Sequence, residues 1–536
     1  MKKWLTLLAL SAGLVSTGNA ADINRLKTFT GTASQWPWQL NTDGTWTLKE
    51  LGQGTPNSLS ALSVLDYGAV ADGNSANGAA NVAAINTIIA KGRCAFLPYT
   101  AAGYHFGAQS VTVSTGACIV GENDVKIQYS GSTSPFKITA YTLTGGHATI
   151  SNLTIDMAAA SAGSSAIRNM LSLGNVAGVK IKRITCLNAY SCIDDDNSAA
   201  SPPAYVSDEE WDGIHVFLTR GRSFTVNHSR GFMYFRNIRI DETVTGQVAP
   251  ITWSGGLFAD FIGLEFGRFD RVGNGGSLVY QSTNKCIEIT GQLTPGSLSI
   301  PGYASVWVLD RLLCDGTSGD GPAFTNVAYL QATAIETYGA LGNGVLFYNV
   351  QSSNITNLVS TGDKGGTGAA AGANGFTCNF CDRVNIANLL TNDNTGAGAS
   401  IINTTNTSIV NHSANNNGTY ALMFIGTTGT TKVMGGAWTS NVGTLLDISS
   451  GGGNQVRNIS GYNPRGVDTI TVGASPFTYT AGTSPETIYM RGGTVSSVAQ
   501  DVLTMATASP GTFHLEPNES IVVTYTVAPT MNKMIH

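Results

Sequence analysis

At 536 residues the chain is long enough for several domains or one elongated one, and an apolar fraction of 42% supports a core and excludes a disordered chain. Only 12% of residues are charged, the net charge is −5 and no basic cluster occurs, which argues against a nucleic-acid partner, because phosphate binding calls for a positive stripe. The 64 glycines, with abundant Ser, Thr and Asn, suit a tightly turning β structure, since such residues tolerate positive φ or bond their own backbone.

Lys2 and Lys3 precede an apolar run from Trp4 to Val15, and Gly18 and Ala20 flank a plausible cleavage point, so residues 1–20 read as a signal-like segment; the alternative is a retained apolar anchor. No other stretch is long and apolar enough to span a bilayer. Residues 21–60 are polar and irregular, with Trp36, Trp38 and Trp46 close together, and form an N-terminal attachment module that ends in a linker from Gly52 to Ser60.

Leu62 to Val70 alternates as a strand and Ala71-Asp72-Gly73 follows as a turn. Val82, Ile85, Ile88 and Ile89 then recur at helical spacing, Gly92 stops the helix, and Cys94 to Pro98 is the next strand. The pattern Val64-Leu65-Asp66-Tyr67-Gly68-Ala69-Val70-Ala71-Asp72-Gly73, a helix holding Ala83-Ala84-Ile85-Asn86, then Phe96-Leu97-Pro98, resembles the leading segment of the pectate-lyase-like superfamily. The resemblance is close over about residues 62–105 and implies a right-handed parallel β-helix, a fold common in polysaccharide lyases, glycoside hydrolases and phage tailspikes. Asn74-Ser75-Ala76-Asn77-Gly78 departs from it, standing where the family carries acidic residues and Thr before the helix; these positions cap that helix.

Further strands are expected at 148–155, 179–184, 235–240 and 261–266. In the last, Ile262, Leu264 and Phe266 share one face by plain alternation, which puts Glu265 on the other. Between Ile386 and Val456 the chain repeats: Ile386 to Ile409 is 23 residues, Ile409 to Val433 is 24 and Val433 to Val456 is 23. A fixed period of this length marks a solenoid whose units stack to share one core. Asn388 and Asn411 within the repeats read as turn or stacked-ladder residues. The expected fold class is all-β: a parallel β-helix over 61–460 with an N-terminal capping helix, and a small sandwich-like β domain over 461–536. That last segment (TVGASPFTYTAG, ETIYMRGGTVSS, LEPNESIVVTYT) resembles the C-terminal domains of phage tail fibre and tailspike proteins.

The eight cysteines permit disulfides or buried thiols. Cys94 and Cys118 are 24 apart, one coil, and the lone Cys378-Asn379-Phe380-Cys381 is a weak metal or redox signal. Charged and aromatic residues concentrate between Asp194 and Arg271. Glycan cleavage calls for paired carboxylates, or for a base with a cation, and glycan binding calls for aromatic faces. The catalytic candidates are therefore Asp194, Asp195, Asp196, Asp212, Glu242, Glu265 and Asp270, and the substrate-binding candidates are Trp211, His215, Arg268 and Arg271. Polygalacturonases, on the same fold, carry an adjacent Asp pair in a turn comparable to Asp194–Asp196. That turn is also a candidate Ca²⁺ site, and no other cofactor is expected. Asp241/Glu242 and Glu265/Asp270 are expected about one coil apart. The remaining histidines read as surface residues.

The resemblances imply a phage tailspike or tail-fibre-type protein, a homotrimer on the virion that binds and depolymerises a bacterial surface polysaccharide alongside other tail proteins. The alternatives are a secreted bacterial lyase or glycoside hydrolase, and a non-catalytic virion protein or adhesin.

Overall fold

The computed structural model describes residues 38–40, 46–48, 61–142, 146–195, 206–219, 223–227, 232–243, 251–254, 258–268, 286–290, 306–315, 319–362, 373–450, 452–462, 467–500 and 503–535. Only the backbone is described at 38–40, 46–48, 195, 206, 207, 219, 227, 232, 242, 243, 251–254, 258–268, 306 and 467. The signal-like segment and the linker lie outside these residues. The chain divides into two units, 1–61 and 62–536. In the first, Trp38–Leu40 and Trp46–Leu48 pair antiparallel.

The second unit winds as a parallel β-helix. Nearly all of its strands up to residue 457 belong to two parallel sheets, of 13 and 16 strands, and strands taken alternately along the chain stack in each. The repeat period shows directly in the register, where Ile386, Ile409, Val433 and Val456 face one another on successive strands, all buried. Each coil buries its apolar side chains against those of the coils above and below, so the core runs lengthwise.

Helix α1 (Gly78–Ala90) lies at the start of the winding and buries Val82, Ile85 and Ile88. Asn81 is buried there; its Nδ2 donates to the His105 carbonyl (2.9 Å) and its Oδ1 accepts from the Val70 N–H (2.6 Å). Asn74 caps a 3-10 turn (Ser75–Asn77) that leads into α1, rather than α1 itself. Gly78 opens α1 against the backbone of Phe106 and Gly107, where a Cβ would sit 2.5 Å from them.

Four strands carry the region of interest in the larger sheet: β1 (Val176–Leu187), β2 (Val206–Thr219), β3 (Phe232–Thr243) and β4 (Phe258–Arg268). Further along, β5 (Phe376–Asn379) belongs to the smaller sheet and β6 (Asp382–Asn392) to the larger. Long strands of the larger sheet bend at one left-handed residue. Asn152, Arg183, Gly213 and Asn237 hold φ between 50° and 68° at matching register, and so do Asn388, Asn411, Gly435 and Asn458 between 57° and 74°. Each bend resets the in–out alternation: Trp211 and Ile214, three apart, both point inward. On the backbone of β4, Phe261 takes the register position of buried Phe235, Ile262 that of half-exposed Arg236 and Leu264 that of buried Ile238. Asn388 and Asn411 are ladder residues, Asn411 Nδ2 donating to Asn388 Oδ1 (2.9 Å).

Residues 467–535 form two four-stranded antiparallel sheets around a separate core that includes Ile488, Phe513 and Val523. They cover the last coil. The Val456 N–H donates to the Thr483 carbonyl (2.8 Å), Asn518 Nδ2 donates to the Asn454 carbonyl (3.1 Å), and Arg457 pairs with Glu516 (2.6 Å). A covered end hides strand edges that would otherwise recruit other chains.

All eight cysteines pair: Cys94–Cys118, Cys186–Cys192, Cys286–Cys314 and Cys378–Cys381. The first links residues directly opposite on adjacent coils, and the last makes the C-x-x-C a disulfide-closed turn. Among the described residues two histidines are not on the surface. His105 Nδ1 accepts from the Gly107 N–H (2.7 Å). His412 is fully buried, its Nδ1 accepting from Trp438 Nε1 (3.2 Å) and its Nε2 facing Thr391 Oγ1 (3.1 Å). Burial pushes its pKa down to about 3.

Candidate functional site

Strands β1, β2 and β3 stack in register, and their outward rows carry most of the chemistry. One row is Lys180, Glu210 and Tyr234; the next is Lys182, Asp212 and Arg236. Past the bend come Thr185, His215 and Arg239, then Leu187, Phe217 and Asp241. The inward rows hold Val179, Glu209, Met233, Ile181, Trp211 and Phe235, which anchor the face from beneath.

The outward groups bond across the coils. His215 Nε2 lies 2.8 Å from Asp241 Oδ2, and Arg239 Nε donates to the same oxygen at 2.6 Å. The carboxylate of this trio is mostly covered, whereas the His215 side chain is 41% exposed and that of Arg239 63%. Lys182 pairs with Glu210 (3.1 Å) and Lys180 approaches it at 4.0 Å. Asn237 Nδ2 donates to Asp212 Oδ1 (2.9 Å). In a neutral imidazole, a carboxylate bonded to one ring nitrogen fixes that nitrogen as the donor and leaves the acceptor lone pair on the other, here Nδ1. The face therefore offers an oriented imidazole beside four exposed or half-exposed cations, Lys180, Lys182, Arg236 and Arg239.

Of the sequence candidates, the structure brings Asp212 and His215 together on this face. Asp241, expected with Glu242 to lie one coil from Glu265/Asp270, joins them as the partner of His215. Glu265 takes the register position opposite Arg239 on β4, two residues out of step with Asp241, and Arg268 is opposite Asp315. Glu242 lies in β3, which is described there by backbone alone. Asp194 is elsewhere, on the smaller sheet, where it accepts from Ser165 Oγ (3.3 Å); Asp195 pairs there with Asn169. Asp196, Asp270 and Arg271 lie outside the described residues.

Trp211 is not a sugar-stacking platform. It is 1% exposed, packed edge-on to Phe235 (4.7 Å between ring centres) and tilted against Phe224 (5.5 Å). Its Nε1 donates to Oε2 of Glu209 (2.7 Å), which is itself fully buried and also accepts from Asn169 Nδ2 (3.3 Å). The segment from Asp208 to His215 is thus a bent strand rather than a solvated loop. Among the described residues no group of three or more His, Cys, Asp or Glu side chains is placed to hold a metal ion.

No protein-family model matches the chain, and no curated protein matches it in sequence. Solved structures similar to it include tailspike protein 3 of bacteriophage CBA120 (14% identity, 87% of this chain and 73% of that one, TM-score 0.46). The A-module of the mannuronan C-5 epimerase AlgE6 of Azotobacter vinelandii is another (12%, 74% and 99%, TM-score 0.37). A third is the gp49 tailspike of Acinetobacter baumannii bacteriophage Fri1, a capsular polysaccharide depolymerase (10%, 94% and 90%, TM-score 0.29).

Proposed function

We propose that this β-helix protein binds an acidic bacterial surface polysaccharide along the outward face of β1, β2 and β3 and cleaves it by elimination. The observation that carries this reading is the His215–Asp241–Arg239 trio at 2.8 and 2.6 Å on the outward side of the larger sheet, with His215 and Arg239 exposed. Elimination needs a base to take the proton from the carbon next to a uronate carboxylate, and a cation to hold the charge that develops on that carboxylate. His215 is the base, held by Asp241, and Arg239 with Lys182 supplies the positive charge. The C–H electron pair becomes the new carbon–carbon double bond, the glycosidic C–O bond breaks, and the departing oxygen takes a proton from solvent. Among the described side chains of this face, hydrolysis by paired carboxylates is less well served, because Glu210, Asp212 and Asp241 are each engaged by a cation or an amide.

The finer reading is a tailspike-type homotrimer on a phage virion. The phage-like C-terminal sequence, folded as two antiparallel sheets, supports it. Sedimentation at micromolar concentration tests the assembly: a trimer is expected, and a monomer contradicts it. For the chemistry, the chain is incubated with purified capsular and O-antigen polysaccharides while reducing ends and unsaturated-uronate absorbance are followed. Both signals together are expected. Reducing ends alone would mean hydrolysis, and binding with neither signal would make the protein an adhesin.

A further inference from the structure

Away from the charged face, one turn departs from its neighbours. In four successive coils the residue that follows a strand of the smaller sheet is Asn326, Asn349, Phe380 and Asn403, at φ 56°, 52°, 57° and 47°, and the next coil has Gly426 at 72°. Asn and Gly suit the left-handed region; a bulky aromatic residue there is an outlier. Such outliers persist where the surroundings enforce them, and they gather at ligand clamps. Here the surroundings do enforce it. The Cys378–Cys381 disulfide closes the turn, the Phe380 N–H donates to the Ile402 carbonyl (3.0 Å), and Tyr348 meets the Phe380 ring edge-on (5.6 Å between ring centres). Phe380 is nonetheless 46% exposed as a residue.

Phe380 borders an open groove of about 350 Å³ lined also by Asn349, Gln351, Asp382, Asn403 and Thr405. The polar lining is held by its own bonds. Gln351 Nε2 donates to Asn349 Oδ1 (3.1 Å), and the Asp382 carboxylate accepts from Thr405 Oγ1 (2.9 Å) and Arg383 Nε (2.9 Å). Arg383 offsets the single carboxylate charge. An exposed aromatic face beside ordered amides and a hydroxyl matches one sugar ring, with C–H bonds on the ring face and hydroxyls on the amides.

We infer that the turn from Phe376 to Asp382 is a second glycan subsite, for an uncharged pyranose unit, distinct from the charged face. The turn leads into β6, which is five strands from β3 in the larger sheet, roughly 24 Å along the rod at the usual strand spacing. One extended polysaccharide spans that distance. The inference rests on the polysaccharide reading above for the ligand class, but not on cleavage.

The test compares the full chain with Phe380→Asn, which installs the residue found in the coils on either side, and with His215→Ala. Each is titrated against an array of purified capsular and O-antigen polysaccharides, and melting temperatures are recorded. For the best-bound polysaccharide, Phe380→Asn is expected to weaken binding roughly ten-fold with no loss of melting temperature. Unchanged binding by a folded Phe380→Asn protein overturns the subsite, whatever His215→Ala does. A loss with Phe380→Asn alone, with His215→Ala at wild-type affinity and turnover, upholds the subsite and removes the charged face instead. Binding of no polysaccharide by the wild-type chain overturns both.

Discussion

The outward face of β1, β2 and β3 and that of the coils from 382 to 458 share one backbone plan but bond differently. In the regular coils several asparagines bond lengthwise to their own kind. Asn388 links to Asn357 and Asn411 to Asn388, and in the buried turn Asn417 receives Asn394 at 2.8 Å and donates to Asn441 at 2.7 Å. Those amides are occupied in holding the rod together. On β1 to β3 the rows are heterotypic, and they leave His215, Arg239, Lys180 and Lys182 with exposed side-chain surface. The contrast teaches that a repeat which has stopped repeating, on an unchanged frame, is the place to look for ligand chemistry.

Substitutions can break or sharpen this contrast. The largest effect is expected from His215→Ala, which should slow polysaccharide cleavage by roughly 10²–10⁴-fold, the usual contribution of a positioned base, while the melting temperature holds. Turnover assays with a thermal melt check both halves. Trp211→Ala should act through the fold instead, costing about 3–5 kcal/mol by opening a cavity beside Phe224 and Phe235, as read from urea denaturation. A third test uses pH in the regular coils. His412 has a folded pKa of about 3, below the ordinary value of 6.5, so the unfolded chain binds its proton more readily. Its contribution is fully present above about pH 6.5 and is lost as pH falls toward 3, so stability rises with pH across that window. His412→Gln should flatten the slope of melting temperature against pH; the residual slope should include His105, whose pKa burial also lowers. The smallest effect is at a bend. Asn411→Gly keeps the left-handed bend but loses the amide bond to Asn388, and should cost about 0.5–1.5 kcal/mol, whereas Asn411→Val should cost about 1–2 kcal/mol more, because φ is +62° there.

The cap, the repeat period and the ladder asparagines are legible in the sequence because each follows from local pattern and spacing. Trp211 is not, and the cause is specific. Counting alternation back from buried Ile214 places Trp211 outside, but the left-handed Gly213 resets the count and turns Trp211 and Glu209 inward. A signal for it does exist, in the Gly or Asn that recurs mid-strand at Asn152, Gly213, Asn237, Asn388 and Asn411. The His215–Asp241 contact, 26 residues apart, depends on the coil length between β2 and β3, which no repeat in the sequence of that stretch reveals. His412 reads as a surface residue amid polar neighbours, yet it takes the row of buried Leu389.

The most direct test of the charged face is a double-mutant cycle on cleavage with His215→Ala, Asp241→Asn and the combined variant. If Asp241 acts only by holding the imidazole, the double variant will be no slower than His215→Ala alone, and Asp241→Asn will lose most of the rate by itself. Losses that add independently, or wild-type cleavage by either single variant, would contradict the assignment of these two residues as one working unit.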